Sequence, residues 1–447
     1  MSAKQAMKRL DSSLEDRCTK LKCLTRQCKL SGERGGLSRF IEVARRVLKI
    51  KFVSPILIAL LIIGSSMLVT AVTWSYHEIR LTTYMDFDGI PAVIETDDRT
   101  VWIFWTRKTL DRYNVFYVTS AYGEAAWSQE TQLTSSRGAN SGVSVCQASD
   151  STIWLVWASD RTGNYDLYYK TSSDYGGTWS NDTQLTFHSG RDLKPAIRQM
   201  SDGTIWIVWS SNRSGGYDLY LKTSQNNGDS WSDDMQLTTD PSLDKMPSLA
   251  QMSNGTIWLV WASDRTGNYD LYYKTSSDFG NSWSGNTQLS GGSTIDSNPC
   301  VFQTMDGTIW IFWSRRQASE NATDDIYYKH SSDNGVSWSD SFQLTSDNYD
   351  DIWPSATQTS RVKIWVVWTS DRADQPDWGN YDIYYRTSLV GDVNGDGIVN
   401  VVDLTIVALS YGFFEGEPGY DPEADINSDG LVDMRDLTLV AMHLGVT

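Results

Sequence analysis

The chain runs to 447 residues, 40% hydrophobic, 21% charged and 12% aromatic, with a formal charge of −17. This composition excludes a disordered or collagen-like chain, and the presence of only one long apolar run excludes a polytopic membrane protein. The net acidity excludes a general nucleic-acid binder, which needs a basic face for phosphate.

The charge is unevenly spread. Residues 1–51 hold 14 Lys/Arg against 5 Asp/Glu, a balance of +9, whereas the remainder carries 24 basic and 50 acidic residues, a balance of −26. Between them lies Phe52–Trp74, 23 residues without a charge. As a helix this run spans about 34 Å, enough for a hydrocarbon core about 30 Å thick. A buried core helix would not be apolar on every face, and a cleaved signal peptide would carry a shorter charged leader. The expectation is a single-pass cell-membrane protein: a basic cytoplasmic segment at 1–51, a transmembrane helix at 52–74 with Trp74 and Tyr76 at the far interface, and the rest outside. Cys18, Cys23 and Cys28 are then reduced cytoplasmic thiols. Outside, Cys146 and Cys300 are too few for a disulfide framework. Four N-x-S/T sequons, at Asn181, Asn212, Asn254 and Asn321, fit an exported domain.

Downstream the chain repeats. W-x-x-W recurs as Trp102/Trp105, Trp154/Trp157, Trp206/Trp209, Trp258/Trp261, Trp310/Trp313 and Trp365/Trp368, at offsets of 52, 52, 52, 52 and 55. Eleven residues before each first Trp stand Pro91, Val143, Pro195, Pro247, Pro299 and Pro354. Each unit reads as four short strands, built on P-x-x-x-Q, T-I-W-(I/L)-(V/F)-W, Y-D-(L/I)-Y-Y-K-T-S and W-S-x(4)-Q-L-T. The runs such as IWLVW are apolar at successive positions, as a strand covered on both faces requires. Six four-stranded units of about 50 residues describe a mainly β fold, a six-bladed β-propeller. The sixth unit stops after Ser388 without its own Q-L-T strand, and Ile79–Thr83 (IRLTT) precedes the first unit. Pairing of that segment into the last blade would close the ring and remove its open edge.

The turn between the third and fourth strands is S-x-D-x-G-x-(T/S)-W, at Ser172–Trp179, Ser276–Trp283 and Ser331–Trp338, with Asn226 in Ser224–Trp231 and Tyr122 in Ser120–Trp127. Asp accepts from nearby backbone N–H groups, Gly supplies φ > 0 and Trp fills the space between strands. These turns resemble the Asp boxes of sialidase-like (BNR-repeat) propellers over residues 77–388, and SDRTGNYDLYY is also similar to the TolB-type repeat. The resemblance implies structural Asp boxes set away from any active site. It also implies, for a sialidase, a Tyr nucleophile with a Glu partner, an arginine triad and an acidic proton donor. The motif that carries the first arginine in sialidases is Asp88-Gly89-Ile90-Pro91 here, with Gly in the arginine's place. Arg161, Arg213, Arg265 and Arg372 recur once per blade, which suits a structural pairing, such as Arg161 with Asp166, rather than a single site. Sialidase activity is therefore not expected.

Other glycosidase chemistry needs only two carboxylates about 5–10 Å apart, and Asp86, Asp88, Asp192, Asp244, Asp296, Asp350 and Asp351 are candidates, read mostly as solvated loop acids. The tryptophans discriminate better. Trp353 and Trp378 stand outside the repeat, on the rim opposite the Asp boxes and beside the enlarged 315–325 loop with Arg315, Arg316 and Glu320. They either stack on sugar rings or cap the closing blade.

After Ser388 the pattern changes. Asp392, Asn394, Asp396, Ile398, Asn400 and Asp403 occupy calcium-loop positions 1, 3, 5, 7, 9 and 12, with Gly397 at the bend. The set repeats 33 residues on as Asp425, Asn427, Asp429, Leu431, Asp433 and Asp436, with Gly430 at the bend. Two tandem loops of hard oxygen ligands favour two Ca2+ ions. Each loop precedes an apolar helical run, LTIVALSYG or LTLVAMHLG. Together these features, over 391–447, resemble a type I dockerin. The resemblance implies a cohesin partner, although Val401-Val402 and Met434-Arg435 replace the Ser-Thr pair common in clostridial dockerins. The short junction leaves packing of the dockerin on the propeller open as well. Two functions follow as expectations: non-catalytic binding of glycan or protein at the cell surface, or glycoside hydrolysis in polysaccharide breakdown.

Overall fold

The computed structural model describes residues 74, 78–84, 87–110, 112–121, 126–319, 322–360, 363–372, 380–388, 393, 399, 401–414, 416–421, 424–426 and 430–442. Residues 1–73, and with them almost all of the proposed membrane span, lie outside these, as does Trp378. Among the described residues no helix is long and apolar enough to cross a membrane.

Six four-stranded antiparallel sheets form, five of them in simple sequence order. Their inner strands are Asp88–Glu95, Asn140–Gln147, Asp192–Gln199, Asp244–Gln251, Ile295–Gln303 and Asp351–Gln358, and these head blades 1 to 6. The two faces of each second strand bury different neighbours, which explains the unbroken apolar runs. Ile153, Leu155 and Trp157 pack toward Ala92 and Phe104 of blade 1, while Trp154 and Val156 pack toward Ile205 and Trp209 of blade 3. The second Trp of every W-x-x-W pair is fully buried, and each contributes on the order of 3 kcal/mol by area.

The sheets are also stitched to one another. The backbone N–H groups of Asp97, Ser149, Ser201, Ser253 and Met305 donate to the side chains of Gln147, Gln199, Gln251, Gln303 and Gln358 in the following blade at 2.6–2.7 Å. The circle closes where Ser360 N donates to Glu95 Oε2 at 2.5 Å. The expected closure is present: Ile79 and Arg80 pair with Tyr385 and Tyr384 of blade 6.

Trp74 departs from its expected place at a membrane interface. It bridges to Ser388 and packs on Phe312 and Tyr328 of blade 5, with ring centroids 5.8 and 5.5 Å away. Trp179 on Phe104, Trp231 on Trp154, Trp338 on Trp258 and Trp127 on Trp365 take the same place one blade back. Blade 6 has no turn tryptophan of its own, and the N-terminal segment supplies it together with the strand.

The Asp boxes have the expected local physics. In the turn after blade 2's third strand, Asp174 accepts from Thr178 N and Ser172 Oγ, and Gly176 sits at φ 80. A Cβ at Gly176 would collide with the Trp102 ring of blade 1, so glycine is needed for space as well as for φ. In the C-terminal region, α1 (Val401–Ser410) and α2 (Met434–Met442) enclose their own small core of Val393, Val399, Val407, Ala424, Ile426, Val432 and Val440. Cys146 and Cys300 are free thiols.

Candidate functional site

The rim opposite the Asp boxes is organised by the first residues of the inner strands. Asp88, Asn140, Asp192, Asp244, Asp296 and Asp351 are fully buried, not solvated. Each accepts from one arginine of its own blade. Arg107 grips Asp88 through two bonds of 2.7 Å, Arg315 grips Asp296 at 2.7 and 2.8 Å, and Arg265 reaches Asp244 at 2.8 Å. Indole Nε1 groups add a second donor: Trp157 to Asn140, Trp261 to Asp244 and Trp368 to Asp351, at 2.9–3.0 Å. Burial pushes the Asp351 carboxyl up to about 6 despite the Arg372 guanidinium beside it. The per-blade arginines are thus structural, but their partners differ from the expected ones. Arg161 pairs with Asn140 and Asp182, while Asp166 accepts from Thr162 and Gln184. Strand pairing brings Asn140 opposite Ser159 and so within reach of Arg161. Of the candidate carboxylates, Asp86 lies outside the described residues. Asp350 accepts from Asp324 N and lies 3.6 Å from Arg316. Asp88, Asp192, Asp244, Asp296 and Asp351 are committed to arginines.

Two residues further along each inner strand the register shifts at a bulge. Ile90, Gly142, Lys194, Met246, Asn298 and Trp353 stand there, all at φ between 53 and 69. A left-handed backbone costs a non-glycine residue about 1 kcal/mol or more. Hydroxyls of the preceding blade hold it in place: Ile90 N donates to Thr369, Met246 N to Ser210 and Trp353 N to Ser314, each at 3.0 Å. Trp353 is therefore a bulge residue at a position of the repeat.

Blades 3 and 6 face each other across a ring of six, and their bulge residues meet. The Lys194 ammonium lies 4.7 Å from the centroid of the Trp353 ring. Burial pushes that ammonium down to about 8. Phe87 meets the Trp353 ring edge to face at 6.0 Å, and meets Tyr113 and Tyr381 in the same way at 5.7 Å. Gly89 makes this possible, since a Cβ there would collide with the Phe87 ring. The space at the position where the sialidase motif carries arginine is thus taken by the Phe87 ring. Around the same rim Arg191 covers Tyr165, and Lys245 lies over Tyr217 and Tyr269. The result is a half-buried aromatic surface studded with cations on this rim, where the bulge residues of blades 3 and 6 meet. It can stack planar or ring-shaped groups and hydrogen-bond their hydroxyls.

Phe87 and Lys194 were not among the sequence candidates. Both are departures from the repeat: Phe87 replaces Ala139, Arg191, Leu243, Ile295 and Asp350 at its position, and Lys194 is the one cation in the bulge ring.

In the C-terminal module, the described calcium-loop residues fit a hard cation. Asp403 and Asp436 are fully buried at the starts of α1 and α2, and Asp425 is nearly so. Gly430 takes φ 82 at the loop bend and donates its N–H to Asp425. Of the remaining ligands, Leu431 and Asp433 are described, whereas Asp392, Asn394, Asp396, Ile398, Asn400, Asn427 and Asp429 lie outside the described residues. Among the described residues no cluster of three candidate ligands is assembled.

Comparison with known proteins divides the chain in the same way. Residues 390–445 match the family model of the Dockerin type I domain. A search of curated proteins by sequence returned no match. Among solved structures, a protein of unknown function from Dyadobacter fermentans DSM 18053 superposes with a TM-score of 0.58 at 13% identity, over 70% of this chain and 98% of that one. A mutant of the NanB sialidase from Streptococcus pneumoniae superposes at 0.53 with 10% identity, over 73% and 72%. A GH93 alpha-L-arabinofuranosidase of Fusarium graminearum, solved with arabinobiose, superposes at 0.52 with 14% identity, over 70% and 97%. At such identities the likeness is one of fold. The chain thus joins a six-bladed β-propeller, whose structural neighbours are sialidase-like and GH93 propellers, to a dockerin type I domain at residues 390–445.

Proposed function

We propose that the protein is a surface-displayed glycan-binding propeller, held to the membrane by the apolar run upstream of Trp74 and joined through its dockerin to a cohesin-like partner. The observation that carries this reading is the Phe87–Trp353–Lys194 cluster on the rim opposite the Asp boxes, set in a ring whose own carboxylates are paired with arginines. A sugar ring laid on Trp353 and Phe87 would bury apolar C–H faces at little entropic cost. Lys194 and the neighbouring tyrosine hydroxyls would address its oxygens. Trp378, expected on the same rim from its place in the 370–382 connection, lies outside the described residues. The test is a glycan array on the extracytoplasmic chain, run beside a sugar-release assay on a polysaccharide panel. Binding without release supports the lectin-like reading. Release that tracks binding favours glycoside hydrolysis, the activity class of the sialidase and arabinofuranosidase neighbours, and rejects the non-catalytic one.

For the dockerin, two Ca2+ ions would be held by Asp392, Asn394, Asp396, the Ile398 carbonyl, Asn400 and Asp403, and by Asp425, Asn427, Asp429, the Leu431 carbonyl, Asp433 and Asp436. Each ion would neutralise the buried acids at a helix start. Chelation is expected to remove the α1–α2 helical signal and leave the propeller's melting transition in place, with calcium restoring the helices. Circular dichroism with two resolved transitions checks this, and an unchanged helical signal in chelator would count against calcium.

A further inference from the structure

We infer that the cleft between blades 4 and 5 is an anion site, which takes a sulfate, phosphate or carboxylate group from outside the chain where the other blades keep a carboxylate of their own. Every other blade gives its rim arginine an acid from outside the ring of inner-strand residues, which in blade 2, where the ring residue is Asn140, is the arginine's first acid. In blade 1 Glu130 lies 2.5 Å from Arg107. In blade 2 Asp182 bridges Arg161 and Lys170 at 2.7 and 2.9 Å. In blade 3 Asp234 bridges Arg213 and Lys222. In blade 4 Asp240 lies 3.8 Å from Arg265. In blade 6 Glu78 and Asp347 both meet Arg372.

Blade 5 lacks both sources. Ser341 stands three residues after Trp338, where Asp182 follows Trp179, and Gly292 stands four after Gln288, where Asp240 follows Gln236. Arg315 engages Asp296 through Nε and Nη2, and among the described residues it meets no second carboxylate. Lys329 donates to the Leu289 carbonyl at 3.2 Å and, among the described residues, likewise has no acid within ion-pair distance. Burial, and behind it the Arg315 guanidinium, holds Lys329 below the ordinary lysine range. A cavity of about 620 Å³ opens at this point, lined among others by Ser290, Gly291, Gly292, Arg315, Lys329 and Ser341. Arg315 is only 13% exposed, so an oxyanion seated against it would be partly shielded from water. Two cations, two hydroxyls and a glycine-lined wall form a site for an oxyanion, in which the guanidinium contributes directed donors and the ammonium a point charge. This site shares no lining residue with the Phe87–Trp353–Lys194 cluster and does not depend on the glycan reading.

The experiment is a thermal-shift and calorimetric titration of the full-length chain with inorganic sulfate at constant ionic strength, chloride serving as the matched salt. Sulfate is expected to raise the melting temperature saturably. Ser341→Asp, which restores the missing carboxylate, is expected to raise the anion-free melting temperature and to weaken sulfate binding at least about tenfold. Lys329→Gln is expected to weaken binding without the gain in stability. A sulfated oligosaccharide, a polyuronate and a neutral oligosaccharide then distinguish the source of the anion. Tighter binding of a charged sugar than of sulfate identifies a glycan group, and equal binding identifies a free anion. Sulfate binding by Ser341→Asp that equals the unsubstituted chain's, or the absence of any saturable shift, would overturn the inference.

Discussion

A chain lacking residues 74–82 is expected to lose the cooperative propeller transition and to associate through an open sheet edge. The deletion removes the outer strand of blade 6, exposing the backbone of Asp382–Thr387 along one edge. It strips Asp382, which is fully buried, of Arg80 at 2.6 Å and of Thr82. It takes Glu78 from Arg372 and Trp74 from Phe312 and Tyr328. Breaking a buried pair costs about 3–5 kcal/mol, and losing a large aromatic from a packed site costs about 3 kcal/mol more. Together these approach the whole net stability of a typical domain, about 5–15 kcal/mol. Thermal melts and gel filtration check it. Trp74→Ala alone should cost about 3 kcal/mol, which no residue at a membrane interface would cost the exported domain.

The second large effect is at the rim ring. Asp244→Ala should destabilise the propeller by about 3–5 kcal/mol in urea unfolding, because it takes from the Arg265 guanidinium its buried, hydrogen-bonded carboxylate and leaves the Trp261 indole N–H without its acceptor. Asp244→Asn should cost only about 1–2 kcal/mol. Blade 2 already carries Asn140 in this place, where it accepts from both Trp157 and Arg161. Equal, small losses for both substitutions would show that the ring does not hold the blades as described.

Spacing alone disclosed the ring, since W-x-x-W and the absent last strand are one-dimensional facts about a repeat. Trp74 was hidden by a single extra residue. It stands six positions before Arg80, whereas Trp179 stands five before Gln184, and it ends an apolar run that reads naturally as membrane. The partner of Arg161 was missed because Asp166 is close in sequence, while Asn140 is close only after the inner strand has paired. Trp353 and Trp378 were singled out as exceptions to the repeat. The structure places Trp353 at a repeat position after all, and its partners are Phe87 and Lys194. Sequence distance cannot reveal that Lys194 meets Trp353, because their contact spans the axis of a closed ring. The vacancy in blade 5 was visible in principle as Ser341 and Gly292, but its meaning depends on seeing what their counterparts touch in the other blades.

The measurement that bears most directly on the proposed function is titration of a glycan selected on the array against the unsubstituted chain, Trp353→Ala and Lys194→Met, with thermal melts run in parallel. The account predicts affinity losses of about ten- to a hundredfold for both substitutions, with the propeller transition retained and no sugar released. Unchanged affinity in both variants would contradict it and move the binding surface away from the Phe87–Trp353–Lys194 cluster.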